Sequence, residues 1–232
     1  MDDTHQKRVN TSLDHNPVVE EVDGMIVRYV FTRHKQQKGD GDGNPLIYAL
    51  KGINSFTIVP MYRTRVMDRA QAIVASIAHE LEEHDHVMPL PSSNGLAREV
   101  AEMVCAVIGK PLLEPTFLRK KTAAEMVVQY GEELPPKLTP SQSSEYKSQI
   151  ALWRRAHGIK SVSMKGIDTG IRGFFDPLVL SGELPDIEEQ RVLLVDDLMS
   201  SGTTLGSASS ILTGGKNCQV SGLCLLSGLP RS

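Results

Sequence analysis

The sequence predicts an α/β fold, a central parallel sheet flanked by helices. Three observations carry that expectation. The four consecutive apolar residues Val192 to Val195 have the length and β-branched content of a strand buried on both faces. A glycine-pivoted turn and a helical segment, Thr203 to Leu212, follow them, and then a second apolar strand, Gln219 to Leu226. The same strand, loop, helix order recurs upstream from Val87 to Leu118.

Along the chain, residues 1–17 are polar and read as a tail, residues 18–84 as an N-terminal strand and helix portion, and residues 85–232 as the core. Met25 to Arg33 is rich in β-branched and aromatic residues and reads as a strand. Pro45 to Leu50 leads into an expected second strand, Phe56 to Tyr62, and then a helix from Asp68 to Glu83, with Ile73, Val74, Ile77, Ala78 and Leu81 at helical spacing. His79, His84 and His86 gather at its end among acids, where a solvated terminus is favoured over a metal site. Val87 to Leu90 is a short strand. Asn94 is placed to cap a helix carrying Leu96, Val100, Val104 and Val107, which Gly109 and Pro111 close. Leu112 to Leu118 reads as a strand, residues 122–138 as at least partly irregular, and Ser161 to Met164 as a short strand. Thr139-Pro140-Ser141-Gln142 is a capping box with proline at the first helical position, opening a helix to Ala156 that buries Tyr146, Ile150 and Trp153.

The chemistry concentrates between Arg191 and Ala208. Asp196 and Asp197 stand where the apolar strand ends, and ligands of open parallel sheets bind beyond the carboxyl ends of strands. Ser200-Ser201-Gly202-Thr203-Thr204 then enters a helix N-terminus, where backbone N–H groups converge on an anion. Carboxylates that seek hydroxyls beside a loop that seeks phosphate suit a sugar phosphate. Val192 to Asp197 also looks like a Walker B strand, but the chain has no GxxxxGK[ST] loop. A receiver domain fails because too little chain follows Asp197. A plain core strand and capped helix would leave the acidic pair and the hydroxyl loop unexplained.

The stretch VLLVDDLMSSGTTL resembles the phosphoribosyl-pyrophosphate (PRPP) motif of type I phosphoribosyltransferases. Ala49-Leu50-Lys51, Met88-Pro89-Leu90-Pro91 and Lys121-Thr122 are similar to stretches of the ComF-like branch, whose N-terminal zinc-binding cysteine cluster is absent here. The resemblance implies the type I phosphoribosyltransferase fold with residues 18–84 as a hood over the acceptor. It implies transfer of ribose 5-phosphate from PRPP to a nucleophile, with release of pyrophosphate. Asp196 and Asp197 would bind the ribose hydroxyls and Mg2+, and Ser200, Ser201, Gly202, Thr203 and Thr204 the 5-phosphate. Ser92, Ser93, Asn94, Arg98 and Lys121 would meet the pyrophosphate, with Arg119 and Lys120 closing over it during catalysis. The alternative is a non-catalytic PRPP or nucleotide sensor, an accessory factor in DNA uptake or DNA modification.

Composition is consistent with an ordinary globule: 232 residues, 40% hydrophobic and 23% charged, with a net charge of −3. That balance gives no reason to expect nucleic-acid binding, despite Arg63, Arg65 and Arg69, and no apolar run suggests a membrane span. Cys105, Cys218 and Cys224 form no metal-type pair and read as packing residues. A cytoplasmic protein is expected, and a homodimer stays open.

Overall fold

The structure, a computed structural model, describes residues 9–34, 45–53, 55–92, 94–156 and 161–228. At its centre lies β7 (Arg191–Leu198), between β4 (His86–Pro89) and β8 (Gln219–Leu226), both parallel to it. β8 in turn pairs in parallel with β3 (Met25–Arg33). The short β1 (Val9–Asn10) and β2 (Val18–Val22) run antiparallel along the free edge of β3, making six strands in all. The result is a mixed α/β molecule whose central sheet is mostly parallel and flanked by helices.

Strand alternation divides the core. Leu193 and Val195 face one layer with Leu223 and Leu225, beneath α1 (Pro45–Lys51), α2 (Pro60–Ser76), α3 (Ala78–Leu81) and α4 (Leu96–Ile108). Val192 and Leu194 face the other, with Cys224, Val27 and Met88, beneath α7 (Thr203–Lys216). Every one of these strand residues is fully buried, the condition that makes a parallel strand read as a continuous apolar run. A third cluster stands apart from the sheet. It joins α5 (Ala123–Tyr130) and α6 (Pro140–Arg155) around Phe175, whose ring centroid lies 4.7 to 5.3 Å from those of Tyr146, Trp153 and Tyr130.

Several expectations hold closely. β8 has the expected bounds, and β3 spans the residues assigned to it. The α6 capping box forms, Thr139 Oγ1 accepting from the Gln142 amide at 3.2 Å and Gln142 Oε1 from the Thr139 amide at 3.0 Å. Gly109 ends α4 in the left-handed region at φ 66°, donating to the Cys105 carbonyl.

Others are corrected. Residues 56–62 are not a strand: Val59 is extended and Pro60 takes the first turn of α2, as proline's fixed φ and missing N–H favour. Phe56, Val59, Met61 and Tyr62 are exposed, whereas the buried face of α2 is Ala70, Ile73 and Val74 at helical spacing. Pro45 to Leu50 is helical too. The expected helix over 68–83 starts earlier and breaks at Ile77. Leu112 makes only a parallel bridge to Val87; the strand nearby is β5 (Leu118–Lys120), antiparallel to β6 (Leu178–Leu180) in a separate two-stranded sheet. Residues 122–138, expected to be at least partly irregular, hold α5, opened by a Thr122–Glu125 capping box, and then an irregular stretch over 131–138. Ser161 contributes a single bridge, to Thr122, and Met164–Gly166 is a 3-10 turn. Within the expected tail, Val9 is buried and paired. The expected 18–84 hood has its long strand β3 hydrogen-bonded into the central sheet, and its helices share one apolar layer with α4.

Candidate functional site

β7 carries Asp196 and Asp197 near its carboxyl end, and alternation sends successive side chains to opposite faces of the sheet. Asp197 lies on the face of α1 and α4. There the Lys51 Nζ, from the last residue of α1, donates to Asp197 Oδ1 at 2.6 Å; the two side chains are only 3% and 6% exposed. Asp196 lies on the α7 face, opposite Cys224 in the register, and its Oδ1 accepts the Asp197 amide at 2.8 Å. Enclosure, then the neighbouring Asp197 charge, pushes the Asp196 carboxyl up to about 7, against the Asp197 amide and the Lys51 and Lys120 ammonium groups, which lower it. The Cys224 thiol is pushed well up by burial and then by both carboxylates.

The loop after β7 turns on Gly202, left-handed at φ 78° and the residue preceding the first helical residue of α7. A Cβ at this glycine would stand 2.8 Å from Met199 Cε and 3.3 Å from Val22 Cγ1, so the conformation favours glycine and a side chain there would have to push the end of Met199 aside. Ser201 and Thr203 hydroxyls bond each other at 2.6 Å. Ser200 Oγ accepts from the Arg172 guanidinium at 2.5 Å, and Arg172 is itself buried, its Nε and second terminal nitrogen donating to the Ile167 carbonyl. Thr204 lies in the first turn of α7, half-buried.

The expected pyrophosphate loop leaves β4 at the same end of the sheet, since Leu90 donates to the Val195 carbonyl at 2.8 Å. Within it, Ser92 Oγ donates to Asn94 Oδ1, which also accepts the Leu96 amide, so Asn94 supports the start of α4 beside a left-handed Gly95. Ser93 lies outside the described residues. Arg98 is held on the exposed side of α4 by Glu102 and, through both terminal nitrogens, by Glu114. Arg119 makes the same forked pair with Glu125, likewise exposed. Lys121 is buried, its Nζ 2.8 Å from the Asp176 carbonyl and 3.3 Å from its carboxylate. Asp176 also accepts the Ser207 hydroxyl of α7, so Lys121 fastens the β5 segment to that helix. Of the basic triplet, Lys120 is the residue whose charge reaches the acidic pair.

The structure therefore brings Asp196, Asp197, Lys120 and residues 200–204 together, and puts Arg98 and Arg119, expected at the pyrophosphate, in pairs with glutamates. Sequence reasoning misses Lys51 and Arg172 as site residues. Lys51 lies in a stretch singled out for its family likeness, Ala49-Leu50-Lys51, but that stretch does not say what its cation touches. At the opposite end of the strands, His84 is buried rather than solvated, its Nε2 2.6 Å from Ser221 Oγ and its Nδ1 2.9 Å from the Leu81 carbonyl. Desolvation pulls it below the usual histidine range. Among the described residues, no group of three or more histidine, cysteine and acidic side chains is arranged to hold a metal by itself, and no helix is long and apolar enough to cross a membrane.

No protein-family model matches this chain, and no curated protein is significantly similar to it. Among solved structures it is similar to TT1426 from Thermus thermophilus, at 16% identity over 71% of this chain and 83% of that one, with a TM-score of 0.34. A likeness that slight carries no argument.

Proposed function

We propose that this protein binds PRPP at the carboxyl end of β7 and transfers its ribose 5-phosphate to a nucleophile, releasing pyrophosphate. The observation that supports this most is one continuous stretch, Asp196 to Thr204, in which carboxylates are followed within a few residues by a left-handed glycine at a helix N-terminus. The α7 amides and the Ser200, Ser201, Thr203 and Thr204 hydroxyls face a 5-phosphate, with the helix dipole favouring its charge. Asp196 and Asp197 accept from the ribose hydroxyls, fixing the sugar while the bond at C1 breaks. The chain's contribution is then orientation and complementarity to developing charge.

Mg2+ suits the donor chemistry, because the two carboxylates, one on each face at the end of β7, offer hard oxygen ligands and such ions take the remainder from phosphates and water. Asp196 and Asp197 would hold it, and when bound it supplies neutralisation of the departing diphosphate. Lys120 is the side chain of the basic triplet whose charge acts on Asp196.

The pairing of the other cations favours a second reading, a PRPP or nucleotide sensor without turnover. Lys51 already neutralises Asp197, and Arg98 and Arg119 are engaged by glutamates instead of standing free near the loop. Calorimetry with PRPP and Mg2+ tests the binding both readings share. Asp196→Asn and Asp197→Asn are each expected to lose about 1.5–3 kcal/mol, as for a charge-assisted hydrogen bond, and Gly202→Val to lose binding altogether. Unchanged affinity in all three overturns the assignment. Pyrophosphate release across a panel of bases and amines then separates the readings, since tight binding without release is the sensor's outcome.

A further inference from the structure

We propose that Lys51 is the resident counter-cation of the acidic pair, so that its ammonium and a divalent ion compete for Asp197. Its Nζ stands 2.6 Å from Asp197 Oδ1, and both side chains are almost wholly enclosed. An ammonium and a carboxylate removed from water hold each other strongly, because each is the other's main replacement for lost hydration. Lys51 ends α1, and basic side chains are favoured in the last turn of a helix. The charges facing the site are accounted for from each element around it: two carboxylates from β7, Lys51 from α1, Lys120 from β5, and the Arg172 guanidinium at Ser200. Removing Lys51 takes one positive charge from the site and leaves an Asp197 oxygen without its partner, both of which favour a divalent cation there. The competition is therefore a built-in gate: Lys51 satisfies Asp197 until a divalent cation displaces it, and a cation arriving with further ligands of its own, such as the oxygens of a sugar diphosphate, displaces it most readily.

The competition itself stands apart from the sugar-phosphate reading, and only the identity of the displacing ligand rests on it. The test uses Mn2+ alone, counted as free ion by its electron paramagnetic resonance signal. Lys51→Gln, which keeps polarity without the charge, and Lys51→Met, which keeps most of the stem, are expected to bind one Mn2+ about tenfold or more tightly than the parent, since a competing charge at contact distance has gone. Adding Asp197→Asn to Lys51→Gln is expected to abolish the gain. Equal Mn2+ affinity in parent and variants, or a gain that survives Asp197→Asn, overturns the proposal. Should both variants fail to fold, acetylation of the parent protein, read at Lys51 by mass spectrometry, gives the answer. Lys51 is expected to be protected, and several-fold more reactive once Mn2+ is saturating; Mn2+ bound with Lys51 still protected overturns the proposal. Repeating the footprint with Mg2+ and PRPP separates the two readings. PRPP that binds and leaves Lys51 protected sinks the gate, whereas PRPP that does not bind sinks the sugar-phosphate reading and leaves the Mn2+ result to decide.

Discussion

Two sets of cations come from the elements around the candidate site, and they differ in what encloses them. Lys51 and Arg172 are buried, one on Asp197 and the other on Ser200 and a backbone carbonyl. Arg98 and Arg119 follow the loop and strand expected to handle pyrophosphate, yet both lie in solvent, each forked onto a glutamate. Exposed ion pairs gain little because water screens them and two long side chains must be held still. Buried ones are strongly coupled, and breaking them leaves an uncompensated charge. The lesson is that proximity in sequence to a phosphate loop does not make a cation part of the site; enclosure against a specific acceptor does.

The comparison is broken most directly at Lys51. Lys51→Ala is expected to destabilise the fold by about 3–5 kcal/mol, measured by urea unfolding at neutral pH, because Asp197 keeps its burial and loses its partner. A small effect would place the pair in the exposed class. Arg172→Met comes next, at about 1.5–3 kcal/mol, for the loss of charged hydrogen bonds to Ile167 and Ser200. Gly202→Val is expected to cost about 1–2 kcal/mol from the left-handed backbone, plus the contact with Met199, while the circular dichroism of the folded state persists. Arg98→Ala and Arg119→Ala should leave the unfolding midpoint unmoved within error.

The pH dependence sharpens the same contrast. The Asp196 carboxyl is raised from its ordinary value to about 7, so the folded state holds a proton that the unfolded chain releases. Stability from this group is full below the ordinary aspartate range, falls as pH rises towards 7, and is flat above. Asp196→Asn is expected to remove that decline and to be the more stable protein at pH 8. His84 acts with the opposite sign: depressed by burial, it costs stability as pH falls below the usual histidine range. The difference between parent and variant curves is therefore the quantity to read, and an unchanged slope in Asp196→Asn would show that the carboxyl titrates normally.

What can be read from the sequence follows how local each cause is. β8, β3, the α6 capping box and the β7-loop-α7 unit are legible because a short window contains the apolar run, the cap or the glycine that produces each of them. Residues 56–62 mislead because Phe56, Ile58, Met61 and Tyr62 look like a strand, while Pro60 and the buried positions ten residues further on decide for a helix. The Lys51–Asp197 pair joins residues 146 apart and Arg172 reaches Ser200 across 28, distances over which no pattern in one sequence specifies a partner. Arg98 fits an anion or a helix surface equally well by its position in the chain, and only the fold brings Glu114 beside it.

The pairing of β3 with β8 has a consequence for how the molecule comes into being. The third strand in the chain cannot find its parallel neighbour until the eighth has been synthesised, so a nascent polypeptide on the ribosome carries β3 with one edge unmet until β8 emerges. Such distant pairing slows assembly and leaves an adhesive backbone edge exposed meanwhile. The hairpin that β2 forms along the opposite side of β3 shelters at least one of its two edges during that wait.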